Sequence, residues 1–235
     1  LEQIENALYL VATPIGNLAD FTYRAVFILN SVDLVAAEDT RTSSVLLRHY
    51  SIKTPVKSYH SHNIPSETPR LIKFLKSGKS VALISDAGTP GISDPGFNLV
   101  KECYKNDIRV IPIPGAAAFL CALVASGLTT QAFVYEGFLP HKKGRKTRIE
   151  KLKAEIRTIV LYESPHRIEK TLKQLLESWG NRKCVLAREI TKKFEEFISG
   201  TIEDLIQKCM ENKIKGEMVL IIEGALKNKS GAVYD

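Results

Sequence analysis

Short apolar runs alternate along this chain with longer stretches in which apolar positions recur every three or four residues. The short runs predict strands at Leu8–Ala12, Leu34–Ala37, Val56–Tyr59, Val81–Ser85 and Arg109–Ile113. The longer ones predict helices at Tyr23–Asn30, Ser43–His49, Pro65–Lys76 and Asn98–Asn106. Val81-Ala82-Leu83-Ile84 contains no polar position, which suits a strand covered by helices on both faces. Strands and helices in alternation predict an α/β fold whose loops at the strand carboxyl ends are free to take a ligand.

Val110 to Tyr135 holds no charged residue. Pro112, Pro114 and Gly115 break its start, and the helical remainder, Ala116–Ser126, is too short at ~1.5 Å per residue for a ~30 Å hydrocarbon core. It reads as a buried helix, and no membrane association is expected. Beyond it, strands are predicted at Phe133–Phe138, Thr158–Tyr162, Cys184–Arg188, Glu195–Ser199 and Glu217–Glu223. Helices are predicted at Arg145–Ala154, Arg167–Ser178 and Ile202–Met210. The link from Cys184–Arg188 to Glu195–Ser199 is too short for a parallel crossover, so these two form a hairpin and the second sheet is mixed. The expected organisation is an N-terminal α/β domain over 1–117, a C-terminal mixed-sheet α/β domain over 118–226 and a loose polar tail over 227–235.

Composition narrows the class. The 235 residues carry 33 Lys+Arg against 26 Asp+Glu, a formal +7, with 44% hydrophobic and 25% charged residues. This excludes a disordered, collagen-like or disulfide-stapled chain. The excess charge suits an anionic partner or simple solubility. Cys103, Cys121, Cys184 and Cys209 form no CxxC pair; apolar neighbours around Cys121 and Cys184 suit buried reduced thiols, and a cytoplasmic location is expected. Leu1–Ala7 carries Glu2 and Glu5 and does not read as a signal peptide. His60 and His62 sit at alternate positions beside a loop, where plain polar contacts are commoner than metal ligation; no metal site is expected.

Familiar phosphate motifs are missing. Lys73 stands where a Walker A loop ending at Gly78-Lys79-Ser80 needs glycine, and no GxGxxG follows the first strand. The informative segment is Ser85-Asp86-Ala87-Gly88-Thr89-Pro90-Gly91-Ile92-Ser93-Asp94-Pro95-Gly96. Its glycines and prolines fix a tight backbone that a ligand can approach closely, while Asp86 and Asp94 suit a cation and not a phosphate. The alternative is a long turn whose aspartates cap the next helix. Ile113-Pro114-Gly115-Ala116-Ala117-Ala118 and Ala37-Glu38-Asp39-Thr40-Arg41-Thr42 also follow strands. Asp39 there is either a helix cap or a substrate contact.

With these loops the chain resembles the tetrapyrrole methylase superfamily. Supporting segments are Leu10–Leu18, Glu38–Arg41, Ser85–Gly96, Pro114–Ala118, Gly137–Pro140, Tyr162–Arg167, Arg188–Lys193 and Lys215–Glu217, in family order from residue 8 to about 224. Ala117 departs from the serine common at that position. The resemblance implies two α/β domains with an S-adenosyl-L-methionine cleft between them. It also implies cofactor contacts at Leu10, Asp86, Gly88, Thr89, Ala116, Ala117, Tyr162 and the region of Ala187, and a homodimer. The nearest branch 2′-O-methylates a cytidine ribose in 16S rRNA of the small ribosomal subunit.

For such a transfer a group must take the ribose proton or stabilise the developing alkoxide. Asp39, Glu163, Glu189, Lys192 and Glu195 are candidates; Asp39 and Lys192 are preferred, each also readable as an ion-pair member. Arg41, Arg167 and Arg188 suit phosphate contacts. The run His141-Lys142-Lys143-Gly144-Arg145-Lys146-Thr147-Arg148 opposes the dipole of the helix it starts, so Lys142, Lys143, Arg145 and Lys146 are expected on a flexible RNA-binding arm or a solvated loop. Tyr50, Tyr59 and Phe138 are candidates for base stacking, with core packing as the alternative. Competing readings are a superfamily methylase acting on a tetrapyrrole or diphthine-type substrate, and a non-catalytic RNA-binding assembly factor.

Overall fold

The computed structural model describes residues 4–212 and 214–226, which divide into two compact units between Ala117 and Ala118. The expected tail over 227–235 lies outside the described residues. In the first unit, strands β1 (Leu8–Val11), β2 (Leu34–Ala37), β3 (Val56–Ser58), β4 (Val81–Ile84) and β5 (Val110–Ile113) alternate with helices. These are α1 (Tyr23–Ser31), α2 (Thr40–His49), α3 (Ile64–Lys76) and α4 (Phe97–Lys105). All strand pairs are parallel, in the order β3-β2-β4-β1-β5.

Alternate residues of each strand feed opposite layers. Tyr9, Val11, Val35, Ala37, Ala82 and Ile84 pack against Ile28 and Leu29 of α1 and Leu46 and Leu47 of α2. Leu8, Ala36, Val81 and Leu83 pack against Leu71 and Leu75 of α3 and Leu99 and Cys103 of α4. Two covered faces are why these strands read as unbroken apolar runs. Each fully buried Leu or Ile is worth about 1.5–3 kcal/mol, whereas an exposed ion pair contributes about 0–1 kcal/mol, so the layers decide the fold. Pro112 sits on the edge strand β5, where a missing N–H is tolerated.

The strand order positions the site. The connection leaving β1 runs to β2, beyond β4, and the one leaving β4 runs to β5, beyond β1. Neighbouring strands whose crossovers diverge leave a crevice at their carboxyl ends, the usual ligand position in open α/β sheets. Here it lies between the loops after β1 and β4.

The second unit holds α5 (Ala118–Ala125), β6 (Phe133–Phe138), α6 (Arg145–Leu152), β7 (Thr158–Glu163), α7 (Ile168–Trp179), β8 (Lys183–Arg188), β9 (Glu196–Thr201), α8 (Ile202–Glu211) and β10 (Met218–Ile222). Its sheet order is β6-β7-β10-β8-β9. β6 and β7 are parallel, the remaining pairs antiparallel, and β8–β9 is the expected hairpin. One face, with Ile159, Leu161, Leu186 and Leu220, packs on α6, α7 and α8; α5 lies against β7 and β10.

Two expectations change here. α2 starts at Thr40, three residues before the expected Ser43, because Asp39 caps it by accepting from the Arg41 N–H at 2.8 Å. The apolar helix is not buried throughout: only Ala122 and Leu123 of α5 are buried, and Leu120 and Val124 are 47% and 65% exposed. It packs through one side and its sequence offers no polar side to mark the other. Among the described residues no helix is long and apolar enough to cross a membrane.

Candidate functional site

The loops after β1 and β4 are tied together at the crevice. Thr13 N–H donates to the Gly88 carbonyl at 2.8 Å and Gly88 N–H to the Thr13 carbonyl at 3.1 Å. The buried Thr13 hydroxyl adds a bond to the Ser85 carbonyl at 3.2 Å. Gly88 has φ +83°, a left-handed conformation that glycine adopts without strain. Thr89 Oγ1 donates to the Ala116 carbonyl at 3.0 Å, joining the loop after β5. Gly115 is required there by contact: an added Cβ would lie 2.7 Å from Ala12 Cβ. Leu10, half-buried in β1 between Leu83 and Pro112, lies just below. Leu10, Gly88, Thr89, Ala116 and Ala117 are thus gathered on one sheet edge.

Carboxylates concentrate on the same edge. Asp86, exposed, accepts the Asp39 N–H on Oδ1 at 3.1 Å, and its own N–H faces Glu38 Oε2 at 3.4 Å. Burial raises Glu38 above the usual glutamate value, outweighing the Asp86 N–H bond, and the charges of Asp86 and Asp39 add to the rise. Asp94 is pushed to about 6, by burial first and then by Glu38 and Asp86. Asp39 behaves oppositely. Hydrogen bonds from the Arg41 guanidinium and backbone hold it at about 2. The structure thus shows the helix-cap reading of Asp39, and a carboxylate held by a cap and a bidentate arginine is a weak base in this arrangement. Arg41 itself projects into solvent.

The C-terminal unit presents its own edge. Met218 lies opposite both Glu163 and Arg188, Arg188 opposite Glu196, and Phe138 beside Tyr162. The segments after β6, β7 and β8 and before β9 and β10 therefore share one side of the sheet. Tyr162 stands there half-buried, its hydroxyl accepting the Phe119 N–H at 3.3 Å. Lys192 bridges Glu189 at 3.1 Å and Glu217 at 2.9 Å. Burial disfavours its charge, but the bonds to Glu217 and Glu189 outweigh that and raise its pKa.

Several residues assigned from sequence have other employment. Arg145 is 7% exposed; it donates to Gln174 at 2.8 Å, the Pro140 carbonyl at 3.1 Å and Thr171 at 2.6 Å, and it sits 3.7 Å from Glu163. It is a brace between α6, α7 and β7, not part of an RNA arm. Arg167 is committed to Glu163, the Leu139 carbonyl and His141. Arg188 is committed to Glu196 and the Lys215 carbonyl. Glu163 is buried and paired with these cations. Ala187, fully enclosed between β9 and β10, has no accessible surface for a ligand. Lys142, Lys143 and Lys146 are exposed.

Of the aromatic candidates, Tyr59 is core, bonded to Thr68, and Tyr50 packs on Phe21 with its hydroxyl on the Leu18 carbonyl. Phe138 is 55% exposed. His60 and His62 have rings 6.0 Å apart, and the described residues hold no cluster of three or more His, Cys, Asp or Glu able to bind a metal. Sequence reasoning gave no separate place to half-buried Glu38, overshadowed in its loop by Asp39, or to exposed Phe194, masked by the charges around it.

The family model for Tetrapyrrole (Corrin/Porphyrin) Methylases matches residues 7–206. Ribosomal RNA small subunit methyltransferase I of Synechocystis sp. is 53% identical over 220 residues, covering 93% of this chain and 79% of that protein. The Bacillus subtilis protein of that name is 50% identical over 219 residues, 93% and 75% of the two chains. That of Haemophilus influenzae is 50% identical over 232 residues, 97% and 82%. Among solved structures, a cobalt precorrin-4 methyltransferase superposes with TM-score 0.69 at 18% identity over 93% of this chain and 95% of its own. A diphthine synthase superposes with TM-score 0.72 at 15% identity, over 93% and 90%; both likenesses are of fold. A doubly wound parallel sheet, a mixed second sheet and a family match running through both make this chain a member of the tetrapyrrole methylase family.

Proposed function

We propose that this chain transfers a methyl group from S-adenosyl-L-methionine to the 2′-oxygen of a cytidine ribose in 16S rRNA of the small ribosomal subunit. The observation that carries the reading is identity of 50–53% to relatives named as small-subunit rRNA methyltransferases. The residues at the β1–β4 crevice fit the cofactor. Its sulfonium and ammonium charges call for carboxylates, which Asp86 and Asp94 supply. Its adenine and ribose call for main-chain partners, which the loops bearing Gly88, Thr89, Ala116 and Ala117 supply. No lysine or arginine lies between Ser85 and Gly96, as a phosphate cradle would need.

When bound, the cofactor supplies an electrophilic methyl group. The chain's contribution is to hold the acceptor in line and take its proton. Glu38 is the better acceptor, because burial and neighbouring carboxylates raise its basicity while Arg41 suppresses that of Asp39. Exposed Lys142, Lys143 and Lys146 serve RNA phosphates.

The test is transfer of tritiated methyl to small subunits, free rRNA and a porphyrinogen, followed by mapping. Labelled RNA is expected to show one alkali-resistant phosphodiester, since a 2′-O-methyl blocks cleavage there. Label in a base overturns the ribose assignment, and label only in the porphyrinogen overturns the RNA reading.

A further inference from the structure

The link between β8 and β9 is held in a conformation that its sequence does not favour. Glu189 has φ +49° and Thr191 φ +68°. A β-branched residue in the left-handed region is an outlier, kept only where the surroundings enforce it. They do so here. Glu189 N–H donates to the Glu217 carbonyl and Glu217 N–H to Glu189 Oε1, both at 3.0 Å. Lys192 ties the same two carboxylates, Glu195 Oε2 accepts the Thr191 N–H at 2.6 Å, and Ile190 is buried beneath. Gly216 completes the clamp: an added Cβ would meet Glu189 Cγ at 2.4 Å.

All this rigidity presents one side chain. Phe194 is 63% exposed at the tip of the turn, with the Lys193 ammonium 5.6 Å from its ring centroid. A large apolar ring held in water on a strained, braced turn serves neither core packing nor solubility. The acids nearby are spent internally: Glu189 and Glu217 on Lys192, Glu195 on the backbone and Glu196 on Arg188. Lys193 joins Lys142, Lys143 and Lys215 on the same sheet edge, and among the described residues none of these four lysines has an ion pair. Aromatic rings beside unpaired cations are the chemistry of single-stranded nucleic acid binding, in which bases stack and phosphates meet charge.

Building on the proposed rRNA reading, we infer that Phe194 is a base-stacking residue, and that its turn is a rigid platform for an unpaired nucleotide of the RNA substrate. The partner is single-stranded RNA, which meets both the ring and the cation beside it; a ring that docks on a protein surface instead would leave a stacking probe unquenched.

The full chain is tested with a short single-stranded RNA carrying 2-aminopurine, whose fluorescence is quenched by stacking. Wild-type protein is expected to quench it. Phe194→Ala abolishes the quench and weakens binding about 5- to 100-fold, while Phe194→Trp retains both. KM for small-subunit methylation rises in the alanine variant with kcat little changed, and melting temperature and S-adenosyl-L-methionine affinity stay at wild-type values. An alanine variant that quenches and binds like wild type overturns the inference, as does a wild-type protein that methylates small subunits without quenching. Failure of the wild-type protein to methylate small subunits at all overturns the functional reading instead.

Discussion

Glu38 and Asp39 are adjacent in the chain and opposite in electrostatics. One faces a half-buried patch of like charges and is raised; the other faces a guanidinium and is lowered. Glu38→Gln should therefore cut kcat for methyl transfer about 100-fold or more at saturating cofactor. Asp39→Ala should loosen the start of α2, seen as a lower melting temperature, and leave kcat within about tenfold of wild type. The reverse ranking would return the proton to Asp39. Asp94 makes a prediction about pH. Its carboxyl binds a proton below about pH 6 in the folded chain, whereas the unfolded chain does so only below its ordinary 3.8. Folded Asp94 therefore contributes stability at low pH that is lost as pH rises through this window. Asp94→Asn should stabilise the protein at pH 8 by on the order of 1 kcal/mol after solvent screening. The gain should vanish near pH 4, as denaturation at both pH values will show.

At the scale of elements, the basic run opening α6 has two parts. Lys142, Lys143 and Lys146 face water, while Arg145 turns inward to Glu163, Thr171 and Gln174. Replacing the three lysines by glutamine should weaken RNA binding and reduce its salt dependence by up to about 3 in log–log slope. Arg145→Ala should cost about 1–3 kcal/mol in urea unfolding by removing the buried donors to Gln174, Thr171 and the Pro140 carbonyl while Arg167 keeps Glu163 paired, and should leave the salt slope of the folded protein unchanged. Charge pattern could not separate these roles, because the partner of Arg145 lies in another strand. Strands and helices were legible because both faces of β4 and one face of each helix must be apolar. The hairpin was legible because its link is short. The turn carrying Phe194 was not: Lys192-Lys193-Phe194-Glu195-Glu196 reads as the charged approach to a strand, and its rigidity resides in two φ angles and contacts with residues 215–217.

Across the whole molecule, apolar burial is partitioned into clusters confined to single units. Leu83 belongs to the first unit and Leu186 to the second, both essentially fully buried. Leu83→Ala should cost about 2–5 kcal/mol and accelerate hydrogen exchange in β1, β2 and β4 while β7, β8 and β10 remain protected. Leu186→Ala should give the mirror pattern. Loss of protection in both sheets from either change would show that they fold as one cooperative body. The parallel sheet also explains why candidate cofactor residues from positions 10 to 117 converge: every strand of that sheet delivers its carboxyl end to the same side.

The Thr13–Gly88 bridge has a bearing on how this chain tolerates editing. It makes the β4 loop stiff at its stem, where an inserted residue between Ser85 and Gly88 would pull apart three hydrogen bonds at once. The tip is different: at Gly91 an added Cβ meets nothing within 4 Å, and only its φ of +86° reserves that one position for glycine, so an insertion belongs beside Gly91 and not in its place. A peptide tag or a reporter graft placed at the tip thus has room that the stem denies, and a cleavable linker there offers a way to open the loop on demand while the strand beneath it keeps its register.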